Sequence, residues 1–136
     1  MAQTTATYAC NLLRKRGYRY AVVERWIPQA RKRQDFCGFA DILAFHPGIV
    51  GVLAVQTCAA SGLSSHVRKL TSPPVLEKVL DWLEAGNRLE VWGWEKRETE
   101  YDYKPELVRV TRDISAYSAN HPLHREVSVS EESEIA

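Results

Sequence analysis

Asp41 and Gln56 are polar residues inside two apolar runs, FADILAF (39–45) and VLAVQTC (52–58), joined by HPGIVG. Both runs read as strands, where a carboxylate is disfavoured and is costly to bury without a partner. If the chain turns about Pro47-Gly48-Ile49, Asp41 falls opposite Gln56, Leu43 opposite Ala54 and Phe45 opposite Val52. Cross-strand neighbours sit ~5 Å apart on one face. That register puts the carboxylate and the amide oxygen side by side, with Cys58 two positions further along the same face. A slip of one residue would turn one of them to the opposite face. Two oxygens so placed suit a hard divalent cation: Mg²⁺ takes oxygen ligands at ~2.1 Å, keeps several waters and is held by one or two protein groups plus substrate phosphate. Such an ion polarises a phosphoryl oxygen and activates water, and a nearby lysine can orient that water and offset charge building on the phosphate.

The elements that must position these residues can be read along the chain. TTATYACNLLRKR (4–16) has a capping threonine, one apolar side at Tyr8, Leu12 and Leu13, a basic last turn and Gly17 to stop it, which predicts a helix. YRYAVVERWI (18–27) is β-branched and aromatic and predicts one strand ended by Pro28. PQARKRQDFCG reads as a polar, basic connection. After the hairpin, AASGLSSHVRKL carries helix-start signals, and Pro73-Pro74 breaks the pattern. VLEKVLDWLEAG (75–86) predicts a second helix, RLEVWGWEKR (88–97) a fourth strand, and ELVRVTR a further strand within 98–112. Tight connections make the first three strands an antiparallel meander. The fourth returns after a helix and is expected to pair in parallel. The sum is a mixed α/β layer.

The 136 residues fit one domain with one core. The net charge of +1 does not mark a nucleic-acid binder by itself. Its distribution is more telling: eight Lys/Arg lie between Arg14 and Arg33 against the single acid Glu24, while Glu126, Glu131, Glu132 and Glu134 make the end acidic. Residues 1–112 are expected to form the domain and 113–136 a flexible acidic tail. The three cysteines, Cys10, Cys37 and Cys58, are odd in number and have no CxxC spacing, so free buried thiols are expected rather than disulfides or structural zinc. No run approaches the ~18 apolar residues of a membrane span, and the start lacks a signal-peptide pattern, so a cytoplasmic location without membrane contact is expected.

Gly38–Asp41, an apolar strand, a Pro-Gly turn and VLAVQTC together resemble the core motif of the PD-(D/E)XK nuclease superfamily, whose usual form is Asp on one strand and (E/Q)xK on the next. The resemblance covers about residues 4 to 97. More narrowly, ERWIPQARKRQDFCGFADILAF with VLAVQ and HVRKL looks like a group of small bacterial and phage proteins likened to Holliday-junction resolvases and to the VRR-type nuclease domain. It implies a restriction-endonuclease-like αβββαβ core, with a mixed central sheet flanked by helices. It also implies a Mg²⁺-dependent DNA endonuclease, with Mn²⁺ as a substitute, that leaves a 5′-phosphate and acts on branched DNA.

The sequence departs from that pattern at two positions. Gln56 replaces the second acid, and its amide oxygen still binds Mg²⁺ but brings no charge. Cys58 stands where the motif has lysine, and Lys69 in HVRKL is the candidate replacement. Related nucleases often draw an extra acid from the first helix, which here has none, so the added charge is assigned to Glu24 first and Asp35 second. Asp41, Gln56 and Glu24 are the expected Mg²⁺ ligands. Arg31, Lys32 and Arg33, with His66 and Arg68, are expected to contact DNA phosphates. Trp82, Trp92 and Trp94 read as core or sheet-surface aromatics. Trp92 and Trp94 share a strand face that would also serve base stacking or a dimer seam, and packing against a partner subunit in a homodimer is the expectation. The rival readings are a nuclease-fold protein that has lost catalysis and serves as a DNA-binding or assembly subunit, and an unrelated small α/β interaction protein.

Overall fold

Thr4 caps the first helix by accepting the Thr7 N–H, and α1 runs Thr5–Lys15 until Gly17 (φ +87°) ends it. Its buried side, Ala9, Cys10, Leu12 and Leu13, lies on one face of a five-stranded sheet. The computed structural model describes residues 4–97, 100–101 and 105–110. The strands are β1 (Arg19–Val22), β2 (Arg25–Ile27), β3 (Lys32–Gln34), β4 (Ile42–His46), β5 (Ile49–Ala59), β6 (Arg88–Trp94), β7 (Lys96–Arg97), β8 (Glu100–Tyr101) and β9 (Glu106–Val110). A 3₁₀ turn (Ala60–Gly62) leads from β5 into α2 (Leu63–Leu70), which is followed by α3 (Val75–Glu84). The main sheet has the order β1-β4-β5-β6-β9. β1, β4 and β5 form an antiparallel meander, β5 and β6 are parallel, and β9 closes the far edge antiparallel.

Two cores result. Leu53, Val55, Trp92 and Trp94 pack with α1, and Ala54, Cys58, Leu89 and Val91 pack with α2 and α3. The alternation of β5 and β6 is therefore used in full, one set of side chains to each helical layer. Among the described residues, no helix is long and apolar enough to cross a membrane.

Several sequence expectations change. Residues 18–27 are two strands: the Val23 and Glu24 N–H groups both donate to the Asp41 carbonyl, and the chain then leaves the sheet. β2 pairs instead with β3, a strand inside what reads as a polar connection. The strand expected from Phe39 starts at Ile42, because Ala40 bridges back to Phe36 in a tight turn. α3 stops at Glu84, and β6 stops at Trp94. Trp92 and Trp94 are fully buried beneath α1, so they form no subunit seam. Their indole N–H groups reach Glu90 Oε1 (2.8 Å) and Thr57 Oγ1 (2.9 Å). Cys37 is exposed, whereas Cys10 and Cys58 are buried. The acidic tail, 113–136, lies outside the described residues.

Gly51 lies where β5 passes the loop after α3. Its φ is +92°, and a Cβ there would collide with the Gly86 carbonyl oxygen. The neighbouring Val52 N–H donates to Asn87 Oδ1 at 3.0 Å, which fastens that loop to the sheet. Gly51→Ala is expected to destabilise the protein by about 1–3 kcal/mol, read as a lower midpoint in urea with an unchanged slope. An unaltered midpoint would mean that the loop moves aside and that the backbone at residue 51 relaxes out of its positive φ.

Candidate metal centre

The β4–β5 register pairs Ile42 with Val55 and Leu43 with Ala54, as expected, but the turn differs. His46 pairs with Ile49 around Pro47-Gly48, the register shifts between Ala44 and His46, and the expected pair of Phe45 with Val52 is not among the partners. Asp41 stands one residue before β4, and its N–H donates to the Val55 carbonyl. Its carboxylate lies 2.8 Å from the Gln56 side chain, and its Oδ2 also accepts the Thr57 N–H at 2.9 Å. Both Asp41 and Gln56 are buried.

The β2–β3 hairpin supplies the rest. Its register opposes Arg25 to Gln34, Trp26 to Arg33 and Ile27 to Lys32. Glu24 immediately precedes β2 and Asp35 immediately follows β3, so both stand at the root of the hairpin. The hairpin base thus delivers two more carboxylates beside Asp41, and one oxygen from each of Glu24, Asp35 and Asp41 lies within 4.8 Å of the others. Glu24 lies between β1 and β2, not within a continuous strand. Lys69, in the last turn of α2, brings Nζ to 3.4 Å from Asp35 Oδ2. Arg33 Nη1 lies 3.8 Å from Glu24 Oε1.

Burial, with repulsion from Asp35 and Glu24 added, pushes the Asp41 carboxyl up to about 6 against the opposing hydrogen bonds from Thr57 and Gln56. Burial and then the Asp41 charge push the Cys58 thiol up to about 11, so it is neutral at pH 7 and supplies no cation. Among the expected phosphate contacts, Arg31, Lys32, Arg33 and Arg68 are exposed. His66 Nδ1 is engaged 2.9 Å from the Gly62 carbonyl at the start of its own helix.

One detail differs from the sequence expectation. Gln56 turns its amide nitrogen, not its oxygen, to the carboxylates: Nε2 lies 2.8 Å from Asp41 Oδ2 and 3.4 Å from Asp35 Oδ2. Ionised carboxylates only accept hydrogen bonds, so the amide offers them its donor end. Its Oε1 is consequently buried with no hydrogen-bond partner among the described residues, a costly position for an acceptor. A half-turn of the amide would aim that oxygen at the carboxylates, which requires a cation or a proton between them. An all-oxygen donor set with up to three negative charges suits a hard divalent cation and does not suit metals that prefer thiolate.

The unpartnered amide oxygen, the crowded acids and the raised Asp41 pKa all lie within one small volume, which structural residues seldom show together. Comparison of the chain with models of protein families, with curated proteins and with solved structures gave no match in any of the three.

Proposed function

We propose that the chain is a Mg²⁺-dependent DNA endonuclease built on a restriction-endonuclease-like core. The observation that carries this reading is the group formed by Glu24, Asp35 and Asp41, the partnerless buried oxygen of Gln56 and the Lys69 amine at its rim. Glu24, Asp35, Asp41 and Gln56 Oε1 would hold the cation, which when bound polarises a phosphoryl oxygen and acidifies a water. Lys69 orients the attacking water and offsets charge on the phosphate. Arg31, Lys32 and Arg33 on the hairpin, with Arg68 beside Lys69, line up the sugar–phosphate backbone. The water oxygen bonds to phosphorus as the P–O3′ bond breaks. The proton that water gives up is balanced by the one the 3′ oxygen gains, leaving a 5′-phosphate and a 3′-hydroxyl.

Incubation with supercoiled, linear and four-way DNA in Mg²⁺ or Mn²⁺ is expected to give nicked or cut products, and titration calorimetry is expected to show cation binding that Asp41→Ala removes. Cation binding unchanged in that variant would refute the assignment. The neutral thiol of Cys58 at the motif's lysine position favours a second reading, a DNA-binding or assembly subunit without catalysis. Salt-sensitive DNA binding without cleavage in either metal would select it.

A further inference from the structure

The β2–β3 hairpin is not part of the main sheet. From Arg25 to Gln34 it carries four cations, Arg25, Arg31, Lys32 and Arg33, and no acid. All four are exposed. In the midst of them Trp26 is 52% exposed, although an indole is among the costliest side chains to leave in water. The other three tryptophans are buried or half-buried. Trp26 is opposite Arg33, so the ring and the guanidinium share one face of the ribbon. That guanidinium reaches toward Glu24, so the face adjoins the carboxylates. Trp26 is two residues from Glu24, and two extended residues span at most about 7 Å. That reach is about two steps of stacked DNA at 3.4 Å each.

The charge of the ribbon fits a polyanion, and an exposed aromatic ring among cations offers that polyanion a flat apolar surface. Bases inside a duplex are already stacked on their neighbours and cannot use it. We infer that Trp26 stacks on an unpaired base within about two nucleotides of the scissile phosphate, so that the hairpin selects DNA with a single-stranded element there. The inference deepens the nuclease reading and rests on it for the position of the phosphate. Arg31, Lys32 and Arg33 supply attraction that is indifferent to base pairing, and Trp26 supplies the discrimination.

The test measures binding, without cleavage, of dye-labelled DNA of about 15 nucleotides in three forms: single strand, fork with an unpaired arm, and blunt duplex. Ca²⁺ replaces Mg²⁺, since it also takes oxygen ligands. Trp26→Ala is expected to weaken binding to the strand and fork about tenfold or more, and to the duplex less than about twofold. Trp26→Phe is expected to keep most of the affinity yet lose the quenching of tryptophan emission by the single strand. Because the ring is exposed, both variants are expected to melt as the parent does. Equal losses on all three DNAs, or no loss, would overturn the inference. So would a parent dimer in sedimentation that Trp26→Ala dissolves, since it would assign the ring to a subunit contact. Selective, Trp26-dependent binding with no cleavage in Mg²⁺ or Mn²⁺ would instead defeat the nuclease reading and leave the stacking role standing. Asp41-dependent cleavage that ignores Trp26 would do the reverse.

Discussion

Asp41→Asn is expected to give a protein that melts higher at pH 7 than the parent and no longer cleaves DNA. Two properties of the same carboxylate lead there. Burial and the facing acids Asp35 and Glu24 raise its pKa to about 6, above the ordinary aspartate value near 3.8. The folded state therefore holds this proton more tightly than the unfolded chain does. Below about pH 4 the carboxyl is protonated in both states and costs nothing. Between about pH 4 and 6 stability falls as the pH rises, and above about 6 the full penalty, on the order of 2–3 kcal/mol, is present. The Asn variant removes that charge and keeps an oxygen to accept the Thr57 N–H. Its melting temperature at pH 7 is expected to rise by about 5 °C or more, with the difference shrinking toward pH 4. Among the described residues, Lys69 beside Asp35, Arg33 beside Glu24 and the neutral Cys58 also face the site and are the same in both proteins. Without the carboxylate, cation binding and transition-state charge stabilisation are lost together, which predicts a drop in cleavage on the order of 10³-fold or more. Added Mg²⁺ should raise the melting temperature of the parent but not that of the variant. A variant that melts lower than the parent at pH 7, or that cleaves DNA normally, would show that Asp41 is a structural residue.

The facing of Asp41 and Gln56 was legible from the two apolar runs and the alternation of each strand, but not from the turn: His46 pairs with Ile49, and a register shift between Ala44 and His46 restores the expected alignment nearer the site. The parallel return of β6 was legible for the same kind of reason, an intervening helix. The β2–β3 hairpin was not. Its residues are almost all exposed, so neither strand has the apolar face whose period announces a strand. Missing the hairpin separated Glu24 from Asp35 and made them look like alternatives, although both stand at its root with carboxylate oxygens within 4.8 Å of each other. A usable signal did exist: RWI and KRQ flank PQAR, a Pro-containing turn, with one acid on each side. Trp92 and Trp94 were correctly placed on one face of their strand. Which face is covered, however, depends on where α1 docks, and no residue of β6 encodes that. The direction of the Gln56 amide was equally hidden, because it follows from three carboxylates that meet only once the β2–β3 hairpin folds back beside Asp41.

Lys69→Ala is expected to slow cleavage by about 10²-fold or more while leaving cation affinity equal or tighter. The amine sits at the rim of the acidic group, 3.4 Å from Asp35 Oδ2, on a half-exposed side chain. An ion pair so exposed contributes at most about 1 kcal/mol, so its loss should barely move the melting temperature. Its removal also frees Asp35 from a competing cation, which is why metal binding should not weaken. Turnover has no such compensation, since Cys58, at the position where the nuclease motif has its lysine, holds a neutral thiol. This suggests a rescue. Cys58→Lys in the Lys69→Ala protein puts an ammonium on the β5 face that already carries Gln56, close enough to Asp41 for the two charges to interact. Burying it lowers stability, but part of the lost cleavage should return, and Cys58→Met, similar in bulk and uncharged, should return none. If Lys69→Ala cleaves as fast as the parent, the amine only balances Asp35. If cleavage is lost but neither position restores it, the role of Lys69 depends on its helix and not on its charge alone.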